Sequence, residues 1–367
     1  MKNFSQYTAL LLLLLLVTSC VSVQVKDNTL SSETVSSQKP KNVILLIGDG
    51  MGLSQVSAGM FYSDKKSNFE RLPTIGLIKT SSSSDLITDS AAGATAFSAG
   101  VKTYNGAIGV DKNKNSVPTL SEQAANKGLA TGLISTSSVV HATPASFYAH
   151  VENRRMYEEI ADFVSKSDLD FIAGGGTQFF QERKDQRDLY EDLRNNGFEV
   201  YTESLPANAS TKRQAILLAK DGMPKAIENR GDFLPDATQL AITKLAKNTD
   251  GFFLVVEGSQ IDWGGHANDA DYLIGEQLDF DKTIGVALDY ADIHDNTLVI
   301  VTADHETGGF TLASDEGDYN KIKPSFSTGG HSSTLIPVFA AGPGSENFNG
   351  IYENTEIYHK IKQLLLE

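Results

Sequence analysis

Residues 42–50 read Asn-Val-Ile-Leu-Leu-Ile-Gly-Asp-Gly (NVILLIGDG), an unbroken apolar run that stops at an acid set between two glycines. Continuous runs of this kind, rather than alternating ones, suit a parallel strand buried on both faces. The same pattern returns twice: residues 252–258 (FFLVVEG) run into Glu257, and residues 297–305 (TLVIVTADH) run into Asp304-His305. Further strand candidates lie at 131–136, 170–174 and 337–341, with helical stretches such as 119–127 and 276–292 between strands. The alternation predicts an α/β fold, a doubly wound, mostly parallel central sheet with helices on both faces. In such sheets ligands bind beyond the carboxyl ends of the strands. Asp49, Glu257 and Asp304-His305 all fall there.

Composition narrows the field. The chain has 367 residues, 40% of them hydrophobic, which is ample for a large core. Its formal charge of −15, from 31 basic and 46 acidic residues, excludes a nucleic-acid binder held by a basic surface. At the N-terminus Lys2 precedes a short apolar segment, Ala9 to Val17, too short to span a bilayer. Val17-Thr18-Ser19-Cys20 resembles a bacterial lipobox, and Cys20 is the only cysteine. The expected organisation is a lipoprotein signal peptide over 1–19, a lipidated Cys20 with a flexible Ser/Thr-rich tether over 20–40, and a single α/β domain over 41–367. The protein is then exported and lipid-anchored to a bacterial membrane, facing the periplasm or the cell surface.

Any one of the strand-end acids, taken alone, reads as a helix cap or turn former. Three strands delivering carboxylate or imidazole to one edge read as a metal site. Asp262 and His266, four apart in EGSQIDWGGH (257–266), and His331 in GGHSS (329–333) add donors. Imidazoles with carboxylates suit zinc, whereas an all-oxygen set suits magnesium. In TDSAAGATAFSAG (88–100) Asp89 is an N-cap and Ser90 opens a helix, where the dipole favours an anion. No Gly-x-Ser-x-Gly elbow is present here, so a metal is the natural activator of that hydroxyl. In HATPASFYAHVENRR (141–155), Thr143-Pro144 predicts a helix start with Pro at the first position, which sets His150 and Arg154 on one face. An inward Arg154 suits a tetrahedral oxyanion; beside Arg155 it also reads as a surface residue. Asp111, Asn113, Asn115 and Glu122 match a calcium-loop spacing, but Ser116 replaces the required glycine and Thr119 to Glu122 form a capping box. A turn followed by a helix start is predicted there.

Six blocks in order, IGDGMG, TDSAAGATAFSAG, ATPASFYAHVENR, VEGSQIDWGGH, TADHETGG and GGHSS, together resemble the bacterial alkaline phosphatases. These are two-zinc, one-magnesium phosphomonoesterases. The resemblance implies that Asp262, His266 and His331 hold one zinc, and Asp49, Asp304 and His305 the other. Asp49 would bridge to the third metal, usually magnesium, which Thr143 and Glu257 also bind. Ser90 matches the nucleophile that forms a phosphoserine, Arg154 the phosphate clamp, and Asp89 the residue that orients it. The implied substrates are small phosphate monoesters, and the family is commonly dimeric.

Two positions depart from the best-known pattern. Position 141, often Asp, is His, and position 263, often Lys, is Trp. The Asp/Lys pair forms a salt bridge whose Lys reaches phosphate through water, so that cation is gone and the third metal loses a nearby carboxylate. The alternatives are a phosphodiesterase relative with the same metal core, and a non-catalytic surface lipoprotein that binds phosphate or metal. The Arg154 clamp disfavours the first, and the intact set of Ser90, Arg154 and ligands the second. A sulfatase is poorly supported: its usual modified cysteine is absent, since Cys20 is the only one, and Ser90 lacks the C/S-x-P-x-R context.

Overall fold

A computed structural model describes residues 39–367. The signal segment, Cys20 and nearly all of the tether lie outside the described residues. Fourteen strands occur among the described residues: β1 (Asn42–Gly48), β2 (Thr74–Lys79), β3 (Ala130–Ser138), β4 (Phe171–Gly175), β5 (Phe198–Tyr201), β6 (Arg213–Leu217), β7 (Phe252–Gly258), β8 (Thr297–Thr302), β9 (Glu306–Thr307), β10 (Thr311–Asp315), β11 (Asp318–Ser325), β12 (His331–Ser332), β13 (Ile336–Ala341) and β14 (Gly350–Glu353).

Ten of them form one sheet in the order β14-β2-β13-β8-β1-β7-β3-β4-β6-β5. Nine share a direction, and β13 runs against both its neighbours, β2 and β8. The three apolar runs become adjacent central strands, with β1 between β7 and β8, and every residue of all three is buried. That burial explains the absence of alternation in their sequences: each side chain meets packed protein whichever way it points. Because the strands are parallel and in register, their carboxyl ends coincide. Ile47 lies opposite Glu257 on one side and Thr302 on the other, so Asp49, Glu257 and Asp304 leave the sheet side by side.

Two local expectations meet different fates. The capping box at Thr119 is present, with the Glu122 carboxylate accepting from the Thr119 N–H and Thr119 Oγ1 accepting from the Glu122 N–H. Asp111 Oδ1 accepts from the N–H groups of Asn113 and Asn115, the predicted turn rather than a calcium loop. The helix predicted through 143–154 is corrected. It covers only Ala142–Ala145, with His141 as N-cap and Pro144 at its third position. After Phe147 the chain turns away to pair Val151 with Ile108, and the Arg154 N–H donates to Gly106 O. His150 and Arg154 therefore share no helical face. His150 points at Gly109 O and Glu122, outside the site.

Candidate active site

The donors gather into three sets at the carboxyl edge. Asp262, His266 and His331 form one; Asp49, Asp304 and His305 a second; Asp49, Glu257 and His141 a third, each with ligand atoms within 4.8 Å of one another. Asp49 belongs to two of them, as the expected bridging role requires. Thr143 Oγ1 lies 3.4 Å from Asp49 Oδ2.

The first set is carried by the helix Gln260–Ala267 and the short strand β12. Helical spacing puts Asp262 and His266 one turn apart, with His266 Nε2 3.4 Å from Asp262 Oδ1. His266 Nδ1 lies 2.7 Å from Gly329 O and His331 Nδ1 2.9 Å from Thr88 O. A carbonyl only accepts, so both Nδ1 atoms carry a proton, which makes Nε2 the nitrogen of each ring that faces the site. Those two Nε2 atoms lie 3.1 Å apart, an arrangement that calls for a cation between them.

The second set is fully buried. His305 Nε2 sits 3.5 Å from Asp49 Oδ1, 3.2 Å from Asp304 Oδ2 and 3.3 Å from Ser90 Oγ. Burial holds the His305 imidazole well below its usual range, so it is a neutral donor. Asp49 Oδ1, Asp304 Oδ2 and Glu257 Oε1 are buried without a partner. Burial first, then the neighbouring carboxylates, raises Asp49, while burial is the leading cause for Asp304 and Glu257 as well. Clustered, desolvated carboxylates with orphaned oxygens are what bound divalent cations would relieve, so the residues fit such ions.

Thr307, which no motif had singled out, joins the first two sets. Its hydroxyl donates to Asp262 Oδ1 at 2.5 Å, so its oxygen accepts from His305 Nδ1 at 3.2 Å and leaves His305 Nε2 free. Gly50 sets their spacing. It has φ +75°, and a Cβ there would stand 2.7 Å from Asp262 Cα.

Ser90 is the first residue of the helix Ser90–Ala99, and Asp89 caps it by accepting from Ala92 N–H at 3.0 Å. The other Asp89 oxygen accepts from Arg154 at 2.9 Å. Burial opposes the Arg154 charge, but Asp89 outweighs it and the guanidinium is held firmly protonated. His141 lies on its far side, 3.4 Å from Arg154 Nη2, with Nδ1 unpartnered. Burial, then Arg154, pushes His141 down to about 3, so it is neutral. The structure thus brings His141 within reach of the third set, closer than a tuning role required. Trp263 meets His141 edge to face at 5.9 Å, and its ring lies where a Cβ on Gly222 would go, which makes it a packing residue as well.

The family model for alkaline phosphatase matches residues 40–322. Alkaline phosphatase 3 of Bacillus subtilis (strain 168) is 36% identical, covering 89% of this chain and 89% of its own. The solved alkaline phosphatase of the Antarctic bacterium TAB5 is 55% identical with a TM-score of 0.88, covering 89% of this chain and 98% of that one. A His-to-Asp variant of the TAB5 enzyme, with Mg bound in its M3 site, is 54% identical with the same TM-score and the same coverage of both chains.

Proposed function

The chain belongs to the alkaline phosphatase family and hydrolyses phosphate monoesters, and on that premise we propose that Ser90 is its nucleophile and Arg154 its phosphate clamp. The first two donor sets would hold zinc, and the third, completed by Thr143, magnesium. The observation that carries this reading is the position of Ser90 Oγ, at a helix N-terminus and 3.3 Å from His305 Nε2, beside an arginine that Asp89 pins. An M3 site that holds Mg is seen in a His-to-Asp variant of the TAB5 enzyme. For this chain, which keeps His141, magnesium rests on the family resemblance and on the oxygen donors Asp49, Thr143 and Glu257.

When bound, the ions supply Lewis-acid stabilisation of the oxygens that enter and leave phosphorus. The chain does the rest. Ser90 Oγ attacks phosphorus in line, forming the Oγ–P bond as the ester P–O bond breaks. The hydroxyl proton passes by way of solvent to the leaving alkoxide, and water later cleaves the Oγ–P bond to restore Ser90 and release phosphate. Arg154, held through one terminal nitrogen by Asp89, offers its remaining N–H groups to two phosphate oxygens. A monoester has three non-ester oxygens, so one is left over when Arg154 takes two; a diester has only two, and none is left over. The dipole of the helix Ser90–Ala99 favours the same charge. Charge balance supports the ion count. Five carboxylates (Asp49, Asp89, Asp262, Asp304 and Glu257) against Arg154 leave four negative charges, and three divalent ions with a phosphate dianion bring the site to neutrality.

The test compares nitrophenol release from the mono- and bis-ester with zinc and magnesium present, then with chelator. Ser90→Ala is expected to lower monoester turnover on the order of 10³-fold or more. Bis-ester turnover equal to the monoester's, or activity indifferent to chelator, overturns the reading.

The lipid anchor at Cys20 is proposed on the lipobox alone, and release of Cys20→Ala from the membrane fraction tests it. A homodimer is proposed on the exposed apolar stripe Leu53, Met60 and Phe61 of the helix Leu53–Tyr62. Phe61→Glu is then expected to shift the sedimenting mass from dimer to monomer.

A further inference from the structure

Glu257 stands at the end of β7, with Ser135 of β3 opposite it in the sheet register. Three serine hydroxyls, all buried, converge on one of its oxygens. Ser135 Oγ donates to Oε2 at 2.5 Å, Ser259 Oγ at 2.6 Å, and Ser137 Oγ lies 3.3 Å away. Ser137 Oγ lies 2.7 Å from Ser135 Oγ, which can accept its proton, while the Ser135 and Ser259 oxygens sit 2.9 Å apart with both protons given to Oε2. The Ser137 N–H donates to both Ser135 Oγ and Ser259 Oγ, at 3.0 and 2.9 Å. The other oxygen of Glu257, Oε1, has no partner and is buried.

This distribution has a coordination consequence. A carboxylate oxygen has two lone-pair directions, and those of Oε2 are taken by the serines. Only Oε1 is left to bind an ion, so Glu257 is confined to one-oxygen ligation. Magnesium demands near-octahedral geometry and takes carboxylates singly, whereas calcium readily takes both oxygens of one carboxylate. We propose that Ser135, Ser137 and Ser259 are a positioning cluster that withholds one oxygen of Glu257 and so sets the third site's preference for magnesium over calcium. The inference rests on Glu257 being a ligand of the third ion. It deepens that reading by naming what selects the ion.

The cluster is tested on the full chain with its two zinc ions in place. Equilibrium dialysis against magnesium, with calcium as competitor, is read by counting bound ions with mass spectrometry. Ser259→Ala and Ser135→Ala are each expected to weaken magnesium binding about 10-fold or more and to lower the magnesium-to-calcium preference by a similar factor. Ser137→Ala, whose hydroxyl is farther from Oε2, is expected to cost less than about 3-fold. Zinc content stays at two ions per chain in all three. If Ser135→Ala does not fold, Ser259→Ala carries the test, since Ser259 lies just beyond the strand end. Unchanged magnesium affinity and ion preference in Ser259→Ala overturns the proposal while leaving the third site intact. Loss of zinc together with magnesium in every variant marks general damage and overturns it too. A wild-type chain that binds only two ions removes the third site itself, and the proposal with it.

Discussion

The two proposed zinc sets use similar chemistry in opposite surroundings. Asp49, Asp304 and His305 sit directly at the ends of β1 and β8 and are fully buried. Asp262, His266 and His331 ride on a helix and a two-residue strand, and the His266 side chain is 42% exposed. The buried set is held from within the packed sheet edge, with Thr307 Oγ1 against His305 Nδ1 and the Gly50 N–H donating to Asp304 Oδ1. The outer set depends on single backbone carbonyls, Gly329 O and Thr88 O, to aim its two imidazoles. The difference teaches that one donor set is built into the fold and the other is attached to it.

The strongest way to break this contrast is to remove one ligand from each set. Asp304→Ala is expected to lower kcat/KM on the order of 10⁴-fold, about 5 kcal/mol of transition-state stabilisation, and excess zinc does not restore it. His331→Ala is expected to cost on the order of 10²-fold, about 3 kcal/mol, and to recover partly in excess zinc. Equal losses with equal recovery would show that exposure does not govern how the ions are held. Chelator kinetics sharpen the same point. Two resolved zinc-release steps are expected, and in His331→Ala the faster one disappears.

A smaller effect asks whether the outer helix reaches the phosphate. Trp263 lies between Asp262 and His266 and touches His141. Trp263→Lys with His141→Asp restores a cation near the site, which should tighten inhibition by inorganic phosphate roughly fivefold, about 1 kcal/mol. Unchanged inhibition means the indole only packs against Gly222.

The smallest effect is a control outside both sets. Burial opposes protonation of His150, but Glu122 and the Gly109 carbonyl outweigh it, and its pKa is raised from 6.5. Burial likewise raises Glu122, but His150 and Thr119 outweigh it, and its pKa is lowered from 4.5. The raised imidazole contributes its full stability below 6.5 and loses it as pH rises through the folded value. The lowered carboxyl contributes above 4.5 and loses it as pH falls through its own. The pair is therefore strongest between those limits. His150→Gln should lower Tm by about 1–2 °C at pH 6, less at pH 9, with zinc release unchanged. A shift in zinc release would mean that general loosening, rather than exposure, separates the two sets.

The central strands and their terminal donors were legible in the sequence because burial on both faces writes itself as unbroken apolar runs. The run at 42–47 ends within one residue of β1, and those at 252–256 and 297–302 likewise predict β7 and β8. The helix through 143–154 misled because periodicity is local. Three non-local hydrogen bonds, two exchanged between Val151 and Ile108 and one from Arg154 to Gly106, claim that backbone instead. Ser259 and Thr307 lie inside the blocks VEGSQIDWGGH and TADHETGG, but nothing in the spacing marked them, or Ser135 and Ser137, as part of the site. Ser135, Ser137 and Ser259 come together only once β3 and β7 are in register, and no spacing along the chain records that. His141 was visible as a departure, but its approach to Asp49 and Glu257 was not.

Gly50 works as a spacer through what it lacks. A side chain there would push the helix of the outer set away from β1, since the space is already filled by the Asp262 backbone. The spacing between the two donor sets is thus held by a missing atom: any side chain at residue 50 would have to displace the Asp262 backbone or the Thr307 hydroxyl, and so move one set against the other.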